Sequence, residues 1–105
     1  MTDTLIKPLH RFRDFYPFYL GEHTNRTCRR LHFIGSCLVL MVLVTATITV
    51  NGWLLLAMPV VGYSFAWVGH FAYEKNRPAT LRYPLYSLLG DWVMFKDILT
   101  GRIPF

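Results

Sequence analysis

Two uncharged apolar stretches dominate the chain, residues 33–50 (FIGSCLVLMVLVTATITV) and residues 53–73 (WLLLAMPVVGYSFAWVGHFAY). Counted from His32, the first supplies the length needed to cross a bilayer core, and the second matches it. Only Asn51-Gly52, a turn dipeptide, lies between them, so the two helices must run as antiparallel neighbours. Pro59 predicts a kink in the second. Residues 1–8 read as a frayed leader. Residues 9–20 (LHRFRDFYPFYL) alternate aromatic and charged positions, with Phe12, Phe15, Tyr16 and Tyr19 at helical spacing, the pattern of an amphipathic segment at a membrane interface. Residues 84–99 (PLYSLLGDWVMFKDIL) place Leu85, Leu88, Leu89, Trp92, Phe95 and Leu99 on one face and Ser87, Asp91 and Asp97 on the other. With Lys96 able to snorkel, they predict a second interfacial helix, because three ionised groups (Asp91, Lys96 and Asp97) make a third span expensive. The expected architecture is all-α: a hairpin of two transmembrane helices (32–50 and 53–73) flanked by interfacial amphipathic helices, in one membrane domain over residues 1–105.

Composition supports a membrane location. The chain has 105 residues, 53% of them hydrophobic and 16% aromatic, with a mean hydropathy of +0.32. So short a chain has too little interior to hide that much apolar surface from water. The net charge of +5 does not point to nucleic acid, since the basic residues form neither a run nor a stripe. Arg26, Arg29 and Arg30 precede the first span, Lys75, Arg77 and Arg82 follow the second, and the turn carries none. By the positive-inside rule both termini are cytoplasmic, giving a multi-pass protein of the inner (plasma) membrane. Cys28 lies in a basic segment and Cys37 in an apolar run, which fits a reducing compartment rather than a disulfide framework.

The hairpin aligns two of the four histidines. His32 lies 19 residues before Asn51 and His70 lies 18 after Gly52, so both reach nearly the same depth at the cytoplasmic mouth. His32 shares its helix face with Gly35, Ser36, Val39, Leu43, Ala46 and Thr47, while Ile34, Met41 and Ile48 point away. Gly62, Ala66 and Gly69 form a small-residue stripe bordered by His70. A straight helix would put His23 about 13 Å from His32 on the opposite side. It joins the site only if the chain breaks at GEHTN (residues 21–25), where Asn25 or Thr24 can cap the next helix. Three imidazoles, with or without Glu74 four residues beyond His70, suit a mononuclear transition-metal site. Geometry alone leaves a second reading open, in which interfacial histidines bond lipid headgroups and Glu74 pairs with Lys75 or Arg77. His10 reads as an interfacial residue, and Thr45, Thr47 and Thr49 as bonded to their own helix.

Two segments, FYPFYLGEHTNRTCRRLHFIGS (residues 15–36) and WVGHFAYEKNRPA (residues 67–79), resemble the signature segments of the membrane-embedded 2-hydroxy-fatty-acid dioxygenases of fatty acid α-oxidation, and among them the short bacterial members. The resemblance covers His23, Asn25 and His32 in the first segment and His70, Glu74, Arg77 and Pro78 in the second. It implies an Fe(II)-dependent enzyme, without haem or 2-oxoglutarate, that shortens a 2-hydroxy fatty acid by one carbon with O2. His23, His32, His70 and Glu74 are then the iron-associated catalytic residues, and Arg77, Arg26, Arg30 and Asn25 the substrate-binding ones. Members with assigned activity carry further apolar spans between the two segments. Here 37 residues separate His32 from His70, so the acyl tunnel is expected to differ or be absent. Two other readings stand beside the enzyme: a non-catalytic membrane protein that binds lipid or a partner, and a hairpin closed by a structural zinc. The small-residue seam would also suit a homo-oligomer.

Overall fold

The computed structural model describes residues 10–105; the leader over residues 1–8, and Leu9 of the first flanking segment, lie outside the described residues. Among the described residues all regular structure is helical. The first arm of the hairpin, α2 (Arg26–Ile48), starts where Asn25 turns its side-chain oxygen back to accept from the Thr27 and Cys28 amides at 2.9 and 3.1 Å. That cap satisfies two amides with no partner inside the helix. Near its far end Thr45, Thr47 and Thr49 donate to the carbonyls four residues earlier, at 2.8, 2.9 and 2.6 Å, which hides their hydroxyls from an apolar surround. Val50 at φ 51° reverses the chain, and Asn51 caps the returning arm by accepting from the Trp53 amide at 3.1 Å.

The returning arm changes pitch twice. It opens as a 3-10 turn (Gly52–Leu56), continues as α3 (Ala57–Val68) and ends as a π-helical turn (Gly69–Glu74). Pro59 falls in the first turn of α3, where a missing N–H is tolerated. The expected kink is thus replaced by a change from 3-10 to α pitch just before it.

The two arms meet along the small-residue seam. His32, Gly35, Ser36, Val39 and Ala46 of α2 are buried, while Ile34, Met41 and Ile48 are 40%, 63% and 75% exposed. Leu43, the one bulky residue expected in the seam, is 39% exposed and lies at its rim. A Cβ on Gly35 would come within 2.9 Å of the Phe65 Cβ. Each arm (Arg26–Ile48 and Gly52–Glu74) is long and apolar enough to cross a membrane, yet only 22% and 17% of their apolar windows are buried. A helix at the centre of a water-soluble core would hide far more.

The flanking segments do not lie apart. Helix α1 (Phe12–Gly21) packs on α4 (Pro84–Leu99), and Phe15, Tyr19, Met94 and Ile98 form the buried cluster between them. Helix α4 turns its polar side inward: Ser87 and Asp97 are buried, whereas Leu85 is 79% and Leu99 65% exposed. The polar face read as solvent-facing therefore meets α1. Asp97 Oδ2 accepts from the Tyr16 hydroxyl at 2.7 Å, and Asp91 accepts from the Tyr19 hydroxyl. Gly90 makes room, because a Cβ there would stand 3.0 Å from the Tyr19 ring.

Gly35→Ala should destabilise the hairpin by about 1–3 kcal/mol, because the added methyl overpacks a backbone-close contact. Gly21→Ala, where a Cβ would meet nothing within 4 Å, should stay within about 0.5 kcal/mol of the unaltered protein. Thermal unfolding in detergent measures both, and equal midpoints for the two variants would show that the seam is not tightly packed.

Candidate metal centre

Three imidazoles converge at the open end of the hairpin, each carried by a different local structure. His32 projects from the first turns of α2 and His70 from the π-helical turn. His23 comes from the non-helical stretch between α1 and α2, where the helix breaks as the GEHTN segment predicts. The ring centroids lie 4.5 Å (His23–His32), 4.5 Å (His23–His70) and 4.9 Å (His32–His70) apart. All three rings are buried, at 2%, 6% and 2% exposure for His23, His32 and His70. Gly69 permits the approach: a Cβ there would stand 3.1–3.3 Å from the Cys28 sulfur and backbone.

Each ring is held from behind through Nδ1. His23 Nδ1 donates to the Tyr19 carbonyl at 2.6 Å, and His32 Nδ1 to the Cys28 carbonyl at 2.9 Å. His70 Nδ1 donates to Asn76 Oδ1 at 2.8 Å, and Asn76 Nδ2 donates in turn to the Glu22 carbonyl at 3.2 Å, which fixes the orientation of that amide. Carbonyl oxygens only accept, so the proton of each neutral ring sits on Nδ1 and its Nε2 carries a lone pair. His23 Nε2 and His32 Nε2 then face each other at 3.1 Å with no proton between them, an arrangement that calls for a cation. Two nitrogens on one metal at about 2.0–2.1 Å stand about 2.9–3.4 Å apart for angles between square and tetrahedral. The donor set fits a metal ion. Burial, and then the neighbouring His32 and His70, push the His23 imidazolium well below its ordinary range, which keeps the ring in its metal-binding form.

Cys28 is the fourth donor, and the candidate ligand atoms of the four residues lie within 4.8 Å of one another. Its sulfur is 3.8 Å from His32 Nδ1, on the anchored side of that ring. Cys28 lies one helical turn before His32, an i, i+4 relation visible in the sequence but overlooked beside the histidines. Asn76 was also missed. It reaches His70 only because Lys75 adopts a left-handed conformation, φ 62°, which its residue type does not announce.

Glu74 bonds the loop that carries His23. Its oxygens accept from the Asn25 amide at 2.6 and 3.0 Å and from the Thr24 hydroxyl at 2.9 Å, so the carboxylate ties the π-helical turn to the His23 loop. Asn25, expected at the substrate, is committed to capping α2. Arg26 and Arg30 donate through Nε to the Phe105 carbonyl at 2.8 and 2.9 Å, turned away from the imidazoles, and Arg77 is exposed. The arginine nearest the cluster is one not singled out, Arg29, which donates to the His23 and Thr24 carbonyls at 3.2 and 2.9 Å. His10 is exposed, and its carbonyl accepts from the Tyr86 hydroxyl.

From the cluster a cavity of about 370 Å³ opens between α2, α3 and α4, and His32, Ser36, Asp91 and Tyr63 supply its polar groups. Its remaining wall is apolar, with Val39, Met58, Leu88 and Trp92 among its residues. A mostly apolar cavity is thus present even though only 37 residues separate His32 from His70, and α4 provides one of its walls through Leu88, Asp91 and Trp92. Burial pushes the Asp91 carboxyl up to about 6, against the opposing pull of the Tyr19 hydrogen bond. The Tyr19 ring stacks on His23 at 4.1 Å between centroids, joining Asp91 to the cluster.

Comparison with known families decides the affiliation. A family model described as 2-hydroxy-palmitic acid dioxygenase Mpo1-like matches residues 9–103. The chain belongs to that family. Neither a curated protein nor a solved structure gave a match. The matched residues take in all four donors of the cluster, the Glu74 tie and the cavity wall.

Glu74→Ala should loosen the His23 loop and lower metal affinity about 10–100-fold, the usual cost of losing a group that holds a ligand in place. Glu74→Gln, which keeps one accepting oxygen, should fall between. Competition titration with a chromogenic chelator reads both, and full affinity in Glu74→Ala would show that the carboxylate does not hold the site together.

Proposed function

We propose that the chain is a membrane-embedded Fe(II)-dependent dioxygenase that shortens 2-hydroxy fatty acids by one carbon with O2. The observation that carries this reading is a cluster of three buried imidazoles, one of which, His32, also lines a mostly apolar cavity. The balance closes: R–CH(OH)–COOH and O2 give R–COOH, CO2 and water, the C1–C2 bond breaking while four electrons pass from the two carbons to O2. His23, His32 and His70 would hold the iron, which when bound supplies the centre at which O2 is activated.

The remaining work falls to the protein. The carbonyls of Tyr19 and Cys28 and the amide of Asn76 fix the rings. The cavity takes the first part of the acyl chain and keeps water from it, and its open side leaves the rest of the chain to lipid. Arg77, exposed beside the mouth, binds the carboxylate, which a guanidinium matches in bidentate fashion. The two spans lie in the inner membrane with both chain ends on the cytoplasmic side, where the arginines and lysines meet anionic headgroups, and α1 and α4 rest at that interface. A headgroup then reaches the imidazoles while its chain stays at bilayer depth.

One observation favours a second reading. Cys28 would complete a four-donor set, and four donors closed around zinc make a structural site. The sulfur's place behind the His32 ring argues against it, and metal analysis of gently purified protein separates the two.

With Fe(II) and O2, the purified protein should convert 2-hydroxypalmitate to pentadecanoate and leave palmitate untouched, as mass spectrometry of extracted acids would show. His70→Ala should lose both bound iron and turnover, whereas Arg77→Ala should keep its iron and show a raised KM. Full turnover by His70→Ala, or stoichiometric zinc in an inactive protein, would overturn the reading. Reporter fusions at both termini should report the cytoplasm and a tag at Asn51-Gly52 the opposite side; termini on opposite sides would mean that α4 crosses the bilayer.

A further inference from the structure

Asp91 is the one acidic group among the residues lining the cavity, and the histidine cluster does not use it. It sits on α4, across the cavity from Ser36 and Val39 of α2. Among the described residues its only side-chain hydrogen bond is the one that Oδ1 accepts from the Tyr19 hydroxyl. Tyr19 is itself fixed, being 1% exposed, packed flat over Gly90, stacked on His23 at 4.1 Å and supplying through its carbonyl the acceptor for His23 Nδ1. One rigid side chain therefore sets both the orientation of a candidate metal ligand and the place of the carboxylate.

A carboxylate accepts and does not donate when ionised. Half-buried in a mostly apolar wall, with Oδ1 engaged by Tyr19, it keeps a second oxygen open to a donor. Another acid group would be repelled there, and an aliphatic chain would leave the oxygen unpaired. A hydroxyl on the carbon next to the substrate carboxyl is the group that fits, because it brings one proton and no charge.

We propose that Asp91 reads the C2 hydroxyl of the substrate, accepting its hydrogen bond on the oxygen that Tyr19 leaves free. The assignment rests on the dioxygenase reading and adds the residue that separates a 2-hydroxy acid from the plain acid. A site built to bond a hydroxyl discriminates strongly against the analogue that lacks it, since the protein's own polar group is then stranded. Ser36 and Tyr63 cannot discriminate in this way, because a hydroxyl can turn to donate or accept as the ligand requires.

The test uses iron-loaded protein held free of O2, so that binding is read without turnover, with 2-hydroxypalmitate and 2-fluoropalmitate competing against a fluorescent fatty acid. Fluorine is of similar size to a hydroxyl and donates nothing. Asp91→Asn keeps an oxygen for Tyr19 and presents an NH2 group to the cavity, a donor in place of an acceptor. Its preference for the hydroxy over the fluoro acid should fall about 10–100-fold below that of the unaltered protein, the range expected for a hydrogen bond to a charged group, with iron content unchanged. Whatever the metal contributes to hydroxyl recognition is common to both proteins and cancels in that ratio. An unchanged preference in Asp91→Asn, with the unaltered protein turning over 2-hydroxypalmitate, overturns the Asp91 assignment alone. An unaltered protein that neither binds nor shortens the hydroxy acid overturns the dioxygenase reading and the assignment with it. Should Asp91→Asn fail to fold, infrared difference spectra of the protein labelled with 13C-carboxyl aspartate decide the matter. An aspartate band that shifts with 2-hydroxypalmitate and not with 2-fluoropalmitate is expected, and identical spectra with the two acids overturn the assignment.

Discussion

The tie between Glu74 and the Thr24–Asn25 backbone is the contact on which the rest of the site depends. Without a break between α1 and α2, His23 would point away from its partners, and the open end of the hairpin would carry two imidazoles rather than three. A helix break alone fixes nothing, since a short polar loop has many conformations and closing it costs entropy. The carboxylate removes that freedom by receiving a backbone amide and a hydroxyl at once, in charge-assisted bonds that are stronger than neutral ones. Asn76 reinforces it by joining the Glu22 carbonyl to His70. The loop that delivers the third ring is thereby fastened to the turn that carries the second.

Much of this could be read from residue order. The hairpin follows from two apolar runs around Asn51-Gly52, and the meeting of His32 with His70 follows from their nearly equal distance to that turn. The seam follows from Gly35, Ser36, Gly62, Ala66 and Gly69, because small side chains let helices approach. The break at GEHTN was legible as turn chemistry, and Asn25 as a cap. Three features were not legible: two depend on contacts between segments far apart in sequence, and one on a local backbone conformation that residue type does not announce. Glu74 is a plausible ligand by residue type, and its reach to Thr24 and Asn25 is not announced by that type. Asn76 reaches His70 through a left-handed Lys75. The polar side of α4 has the spacing of a solvated face, yet it finds the tyrosines of α1.

That inversion of α4 accounts for the cavity. A helix with leucines outward and with serine and aspartates inward is unfavourable in water, where the exposed apolar surface is costly, and becomes reasonable where the outer face meets lipid. The two tyrosine–aspartate bonds engage one oxygen of each carboxylate, and Leu88, Asp91 and Trp92 line the cavity shared with α2 and α3. A lateral wall made by one short helix thus encloses a channel that the two-span hairpin alone could not.

The nearly equal distances of His32 and His70 from the Asn51-Gly52 turn carry a consequence for how such a hairpin can vary. Residues added to one arm alone would move one imidazole along the axis by about 1.5 Å and around it by about 100° each, and the rings would part. Insertions of a whole helical turn made in both arms near the reversal would cancel, leaving the imidazoles in register while deepening everything beneath them. The chemistry at the mouth and the depth of the hairpin are therefore separable properties of the same chain: one is set by the local order around residues 23, 32 and 70, the other by a length that can change only in matched pairs.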